Sequence, residues 1–136
     1  MLTAQEALER LKQGNERFAH GETNLTKFLT HQQRSEMMDS QEPFAIILGC
    51  SDSRVPAEMV FDQGFGDLFV IRVAGNIVAP SQVGSVEFAA DSFGCPLVVV
   101  LGHSHCGAIH STIEALKNPN TPPSANLMSI DLQLKF

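Results

Sequence analysis

The chain has 136 residues, which is one domain at about 150 residues each. Nine Lys and Arg against 15 Asp and Glu give a formal net charge of −6, which argues against a nucleic-acid binder, since such a protein needs a basic face. With 43% hydrophobic and 18% charged residues the composition suits a folded globule, and no apolar run approaches the roughly 20 residues that span a bilayer.

The first 18 residues are amphipathic and carry acids, unlike the basic-then-apolar start of a secretory leader. A cytoplasmic location is therefore expected, where thiols stay reduced. Three cysteines cannot all pair, so they read as ligands, nucleophiles or core filler.

Residues 3–18 predict a helix. Thr3 and Glu6 match a capping box, and Ala4, Leu8, Leu11 and Phe18 mark an apolar stripe. A second helix is expected over 26–39, broken by Gln41-Glu42-Pro43. Three short apolar runs follow, at 44–48, 68–71 and 97–101, and they read as strands buried on both faces. A short helix is expected over 56–63 and another over 81–93, with Gly94 at its end; a third is expected over 107–117. Residues 125–136 fit either a short helix or a strand. The alternation predicts a mainly parallel sheet with right-handed crossovers in a three-layer α/β/α fold; the core strand order is taken as 2-1-3, one of the orders the alternation allows.

Two clusters sit just past two of these strands. Cys50-Ser51-Asp52-Ser53-Arg54 follows the first and His103-Ser104-His105-Cys106-Gly107 the third. In the order 2-1-3, strands one and three are neighbours at the switch point where open α/β sheets bind ligands. Cys50, His103 and Cys106 would then meet, and two thiolates with an imidazole suit Zn²⁺. The fourth position falls to Asp52 or to a water. Arg54 can fork onto the Asp52 carboxylate and draw it off the metal. Other readings remain open for the pieces: Asp52 as a turn or cap residue, and Asp52–Arg54 as a surface ion pair. Cys95, before Pro96, reads as core filler, and His105 and His110 as surface or supporting residues. A cysteine phosphatase is excluded, because only three residues separate Cys50 from Arg54.

The run Cys50-Ser51-Asp52-Ser53-Arg54-Val55-Pro56 resembles the first signature of the β-class carbonic anhydrases. The stretch from Gly84 through Val98-Val99-Val100-Leu101-Gly102-His103-Ser104-His105-Cys106-Gly107-Ala108 resembles the second. Residues 67–76 between them are similar to the family as well, so the likeness covers about residues 1–118. It implies a zinc lyase that reversibly hydrates CO2 to bicarbonate and a proton through zinc-bound hydroxide. One zinc per subunit is implied, with Cys50, His103 and Cys106 as ligands, Asp52 as a switchable fourth ligand, and Asp52 with Arg54 as the catalytic dyad. Zinc brings the pKa of a bound water towards neutrality, an effect best known from carbonic anhydrases with three His ligands.

Gln63, Val55, Gly102 and Gly107 are the implied substrate pocket. A homodimer or higher homo-oligomer is implied, with amino-terminal helices that reach a partner subunit. Family members with an inhibitory bicarbonate pocket carry Trp and Tyr where Ile47 and Ser104 stand here, so that pocket is expected to be absent. The family runs some 50 residues further, so residues 1–136 are expected to form one domain without the usual carboxyl-terminal strand and helices, leaving strand three unpaired on one side. Residues 131–136 are not expected to continue the next family helix. Two other functions compete: CS2 or COS hydrolysis on the same scaffold, and zinc binding with little or no turnover.

Overall fold

Thr3 caps the first helix, α1 (Ala4–Ala19), as its capping box predicts. The Thr3 hydroxyl accepts from the Glu6 N–H at 3.3 Å, and the Glu6 carboxylate accepts from the Thr3 N–H at 2.7 Å. The computed structural model describes residues 2–24 and 31–135. In α1 the buried seam is Ala7, Leu11 and Gly14; of the expected stripe Leu11 is buried and Leu8 half-buried, whereas Ala4 and Phe18 face solvent. Gly14 sets this seam, because a Cβ there would collide with the main-chain carbonyl of Phe61. Of the helix expected over 26–39, α2 (His31–Glu36) is present, and residues 25–30 lie outside the described ones.

Three strands form one parallel sheet: β1 (Ala45–Gly49), β2 (Leu68–Arg72) and β3 (Val98–Leu101), in the order β2-β1-β3. Every residue of β1 is buried. Its side chains alternate between two cores, as the two-residue period of a strand requires. Ala45 and Ile47 pack with Ala7 and Leu11 of α1 and with Ala57 of α3 (Ala57–Val60). Ile46 and Leu48 pack on the opposite face with Ala89 of α4 (Pro80–Phe93) and with Cys95. Helices therefore cover both faces, as the alternating pattern predicts. α4 ends on Gly94 at φ 64°, the left-handed cap expected there.

The structure also corrects the sequence reading at α3 and β3. The helix expected over 56–63 stops at Val60, and Asp62 then takes a left-handed φ of 47°. β3 is not buried on both faces: Val98 is 45% exposed and Val100 65%. They lie in register with Ile46 and Leu48, on the α4 face, but α4 packs chiefly over β1 and β2. The apolar run at 97–101 thus marks an uncovered face of an edge strand.

The tail is helical. α5 (Gly107–Lys117) is followed by α6 (Ala125–Leu134), which continues past Asp131. Asp131 is buried and accepts the Thr112 hydroxyl at 2.6 Å, which docks α6 on α5. Among the described residues no helix is long and apolar enough to cross a membrane.

Candidate metal centre

At the carboxyl edge of the sheet Gly49 is paired with Leu101, so the chain leaves β1 and β3 at one place. Cys50 follows Gly49, and His103 lies two residues beyond Leu101. Cys106, the N-cap residue of α5, joins them. The ligand atoms of Cys50, His103 and Cys106 all lie within 4.8 Å of one another. Among the described residues no other three His, Cys, Asp or Glu converge in this way.

The geometry fits a zinc ion. The Cys50 and Cys106 sulfurs are 4.0 Å apart and unbonded. Two thiolates at about 2.3 Å from a tetrahedral zinc would stand about 3.8 Å apart. His103 Nδ1 lies 2.8 Å from the Ser104 carbonyl, which can only accept, so Nδ1 carries the proton. Nε2 then presents its lone pair, buried and without a hydrogen-bond partner. An unpartnered buried polar atom is costly, and a metal ion beside two thiols would satisfy it.

Asp52 stands beside this group. Its Oδ1 accepts from the Arg54 main-chain N–H and Nε, both at 2.9 Å, and its Oδ2 accepts from an Arg54 terminal nitrogen at 2.7 Å. The same guanidinium donates to the His105 carbonyl at 2.9 Å, which ties the two clusters together. Oδ2 is 4.0 Å from His103 Nε2. Asp52 is thus both a turn residue and the partner of Arg54. The Arg54 side chain and main-chain N–H hold its carboxyl well below the usual range, so it is ionised at neutral pH.

Two supporting residues were not legible as such in the sequence. Arg72 donates to the carbonyls of Cys50 and Asp52 at 2.8 and 2.6 Å. Gly75, at φ 74°, turns its main-chain N–H to the Cys50 sulfur. A Cβ on Gly75 would meet Leu134 of α6 at 3.0 Å and Ala108 at 3.3 Å, so a side chain there would be both strained and crowded. The signal for Arg72 was a lone charge closing the otherwise apolar run Leu68–Ile71.

Comparison with known proteins agrees with this geometry. A family model described as carbonic anhydrase matches residues 45–132, which span both clusters. The chain belongs to the β-carbonic anhydrases. Carbonic anhydrase 2 of Mycobacterium tuberculosis is 43% identical over 117 residues, covering 85% of this chain and 56% of the relative. The carbonic anhydrase of Mycolicibacterium smegmatis is 43% identical over 116 residues, with the same coverage of 85% and 56%. Among solved structures, the β-carbonic anhydrase CcaA superposes with a TM-score of 0.65 at 27% identity, covering 93% of this chain and 60% of that one. A Coccomyxa β-carbonic anhydrase in complex with acetazolamide gives a TM-score of 0.61 at 28% identity, covering 74% and 43%. The chain therefore spans about half the length of the curated relatives it matches.

Of the substrate-pocket residues implied by the β-carbonic anhydrase signatures, three adjoin the centre in the chain. Val55 follows Arg54 and is half-buried; Gly102 and Gly107 flank His103 and Cys106, and a Cβ on either would meet nothing within 4 Å. Within the single chain Gln63 stands apart from the centre. Its Oε1 accepts from Arg10 Nε at 3.1 Å, and the same guanidinium bridges to Asp67, whose carbonyl accepts from Phe44 N–H. Gln63 thus sits at the amino edge of the sheet, a strand's length of about 15–20 Å from Cys50 within one chain. The reason is topological: a parallel crossover must carry the chain back to the amino edge before β2 can begin. There Gln63 lines a separate cavity of about 270 Å³ with Met59, Phe65 and Leu68. Cys95 is buried, and its thiol donates to the Pro43 carbonyl at 3.0 Å, as expected of core filler.

The two buried thiols should titrate apart. Burial raises the Cys50 pKa, but in the metal-free chain the His103 ring, whose own pKa the Cys50 sulfur raises so that it can stand protonated beside the thiolate, outweighs it together with the N–H groups of Asp52 and Gly75 and with Cys106, and the thiol falls from 9.0 to about 7. Burial alone acts on Cys95 and raises its pKa. In the metal-free chain, thiolate absorbance at 240 nm should therefore rise through a step centred near pH 7, and Cys50→Ser should remove that step. A parent titration with no step below pH 8.5 would contradict the assignment.

Proposed function

We propose that the chain carries the zinc centre of a carbonic anhydrase and reversibly hydrates CO2 to bicarbonate and a proton. The observation that supports this most is the convergence of Cys50, His103 and Cys106 beside a carboxylate gripped by Arg54. Zinc held by the three residues would supply the Lewis acidity that makes water nucleophilic near neutral pH.

The chain's own residues do the rest. The Ser104 carbonyl fixes the His103 tautomer, so Nε2 faces the other ligands. Arg54 keeps Asp52 ionised, and Asp52 accepts a hydrogen bond from the attacking water and aims its lone pair at CO2. Attack by the water oxygen would form the C–O bond of bicarbonate, and the proton which that water loses would pass to solvent. Val55, Gly102 and Gly107 leave room beside the ligands for a small apolar substrate. The exposed apolar side chains Phe88, Val98, Val100, Ile109 and Ile113 support a homodimer or larger assembly. Three free thiols accord with a reducing, cytoplasmic setting.

Stopped-flow CO2 hydration on the zinc-loaded chain tests the reading. Turnover well above buffer, abolished by chelation, is expected. A chain with one zinc and turnover equal to buffer would instead identify a metal-binding protein without catalysis.

A further inference from the structure

We infer that Arg72 is a positioning residue for the metal centre, holding the main chain of the 50–52 loop so that the Cys50 thiol and the Asp52 carboxylate keep their places. The inference rests on reading Cys50, His103 and Cys106 as a metal centre. Arg72 ends β2 in register with Gly49, the last residue of β1. Beyond that rung the chain turns out of the sheet, and carbonyls there have left the strand ladder. Arg72 meets two of them: Nε donates to the Cys50 carbonyl at 2.8 Å, and a terminal nitrogen donates to the Asp52 carbonyl at 2.6 Å.

The two acceptors belong to the thiol ligand and to the carboxylate. Fixing their peptide planes fixes the directions in which both side chains leave the backbone. Asp52 is then held at both ends, its carbonyl by Arg72 and its carboxylate by Arg54. The guanidinium suits this task because its donors lie in one rigid plane and reach two acceptors at once. A lysine ammonium concentrates its donors at one point and cannot reproduce that span. Arg72 is not among the converging ligands, so its effect passes through the residues it holds.

Arg72→Gln and Arg72→Lys test this against the parent chain, with thermal unfolding confirming that each is folded. The readouts are the rate at which excess chelator strips zinc and CO2 hydration resolved into kcat and KM. Both variants should lose zinc about tenfold faster or more, and kcat should fall about 10- to 100-fold with KM little changed. Lysine should fail to rescue either readout. Zinc release and kcat at parental levels in Arg72→Lys would overturn the proposal, because charge alone would then suffice. Should Arg72→Gln not fold, Arg72→Lys carries the same comparison. A parent chain that holds zinc but hydrates no CO2 would sink the functional reading, and zinc release would still decide the role of Arg72.

Discussion

Replacing Cys106 with serine is expected to empty the centre of zinc and to remove the stabilisation that zinc gives. Cys106 supplies one of only two sulfurs, 4.0 Å from the other, and a hydroxyl is a far poorer ligand for a borderline-soft ion. Its side chain makes no capping hydrogen bond to α5, so the metal-free variant should unfold close to the metal-free parent. The difference should appear only when zinc is added. A ligand present at about 100 times its dissociation constant stabilises a fold by about 2.7 kcal/mol, so the parent should melt several degrees higher with zinc and the variant should not. Metal analysis after dialysis should find close to one zinc per parent chain and close to none in Cys106→Ser. A full complement of zinc in the variant would remove Cys106 from the ligand set.

Asp52→Ala is expected to separate metal binding from catalysis. The three converging ligands are untouched, so zinc content should stay near one per chain. What is lost is a carboxylate 4.0 Å from His103 Nε2, held ionised and oriented by Arg54. A group that orients water and shares its proton contributes typically 10²- to 10⁴-fold, so CO2 hydration should fall by about 10² or more. Unchanged turnover would take Asp52 out of the mechanism.

The centre was legible because topology did most of the work. Once the apolar runs around Ile46 and Val99 were read as neighbouring parallel strands, residues 53 positions apart had to leave the sheet side by side. The Thr3 cap, α5 and the left-handed Gly94 were legible for a similar reason, since each is written in local chemistry. What failed depended on distant contacts. The α1 seam runs through Gly14 only because the Phe61 carbonyl comes close. Val98 and Val100 look like core until the reach of α4 is known. Arg72 acts through main-chain carbonyls, which leave no mark on the residues they belong to.

The central claim is that two sulfurs and one imidazole nitrogen of this chain hold a single zinc. X-ray absorption at the zinc edge of the loaded chain tests it most directly. The account predicts two sulfur neighbours at about 2.3 Å and two nitrogen or oxygen neighbours at about 2.0–2.1 Å. A shell with no sulfur, or with three or more, would contradict it.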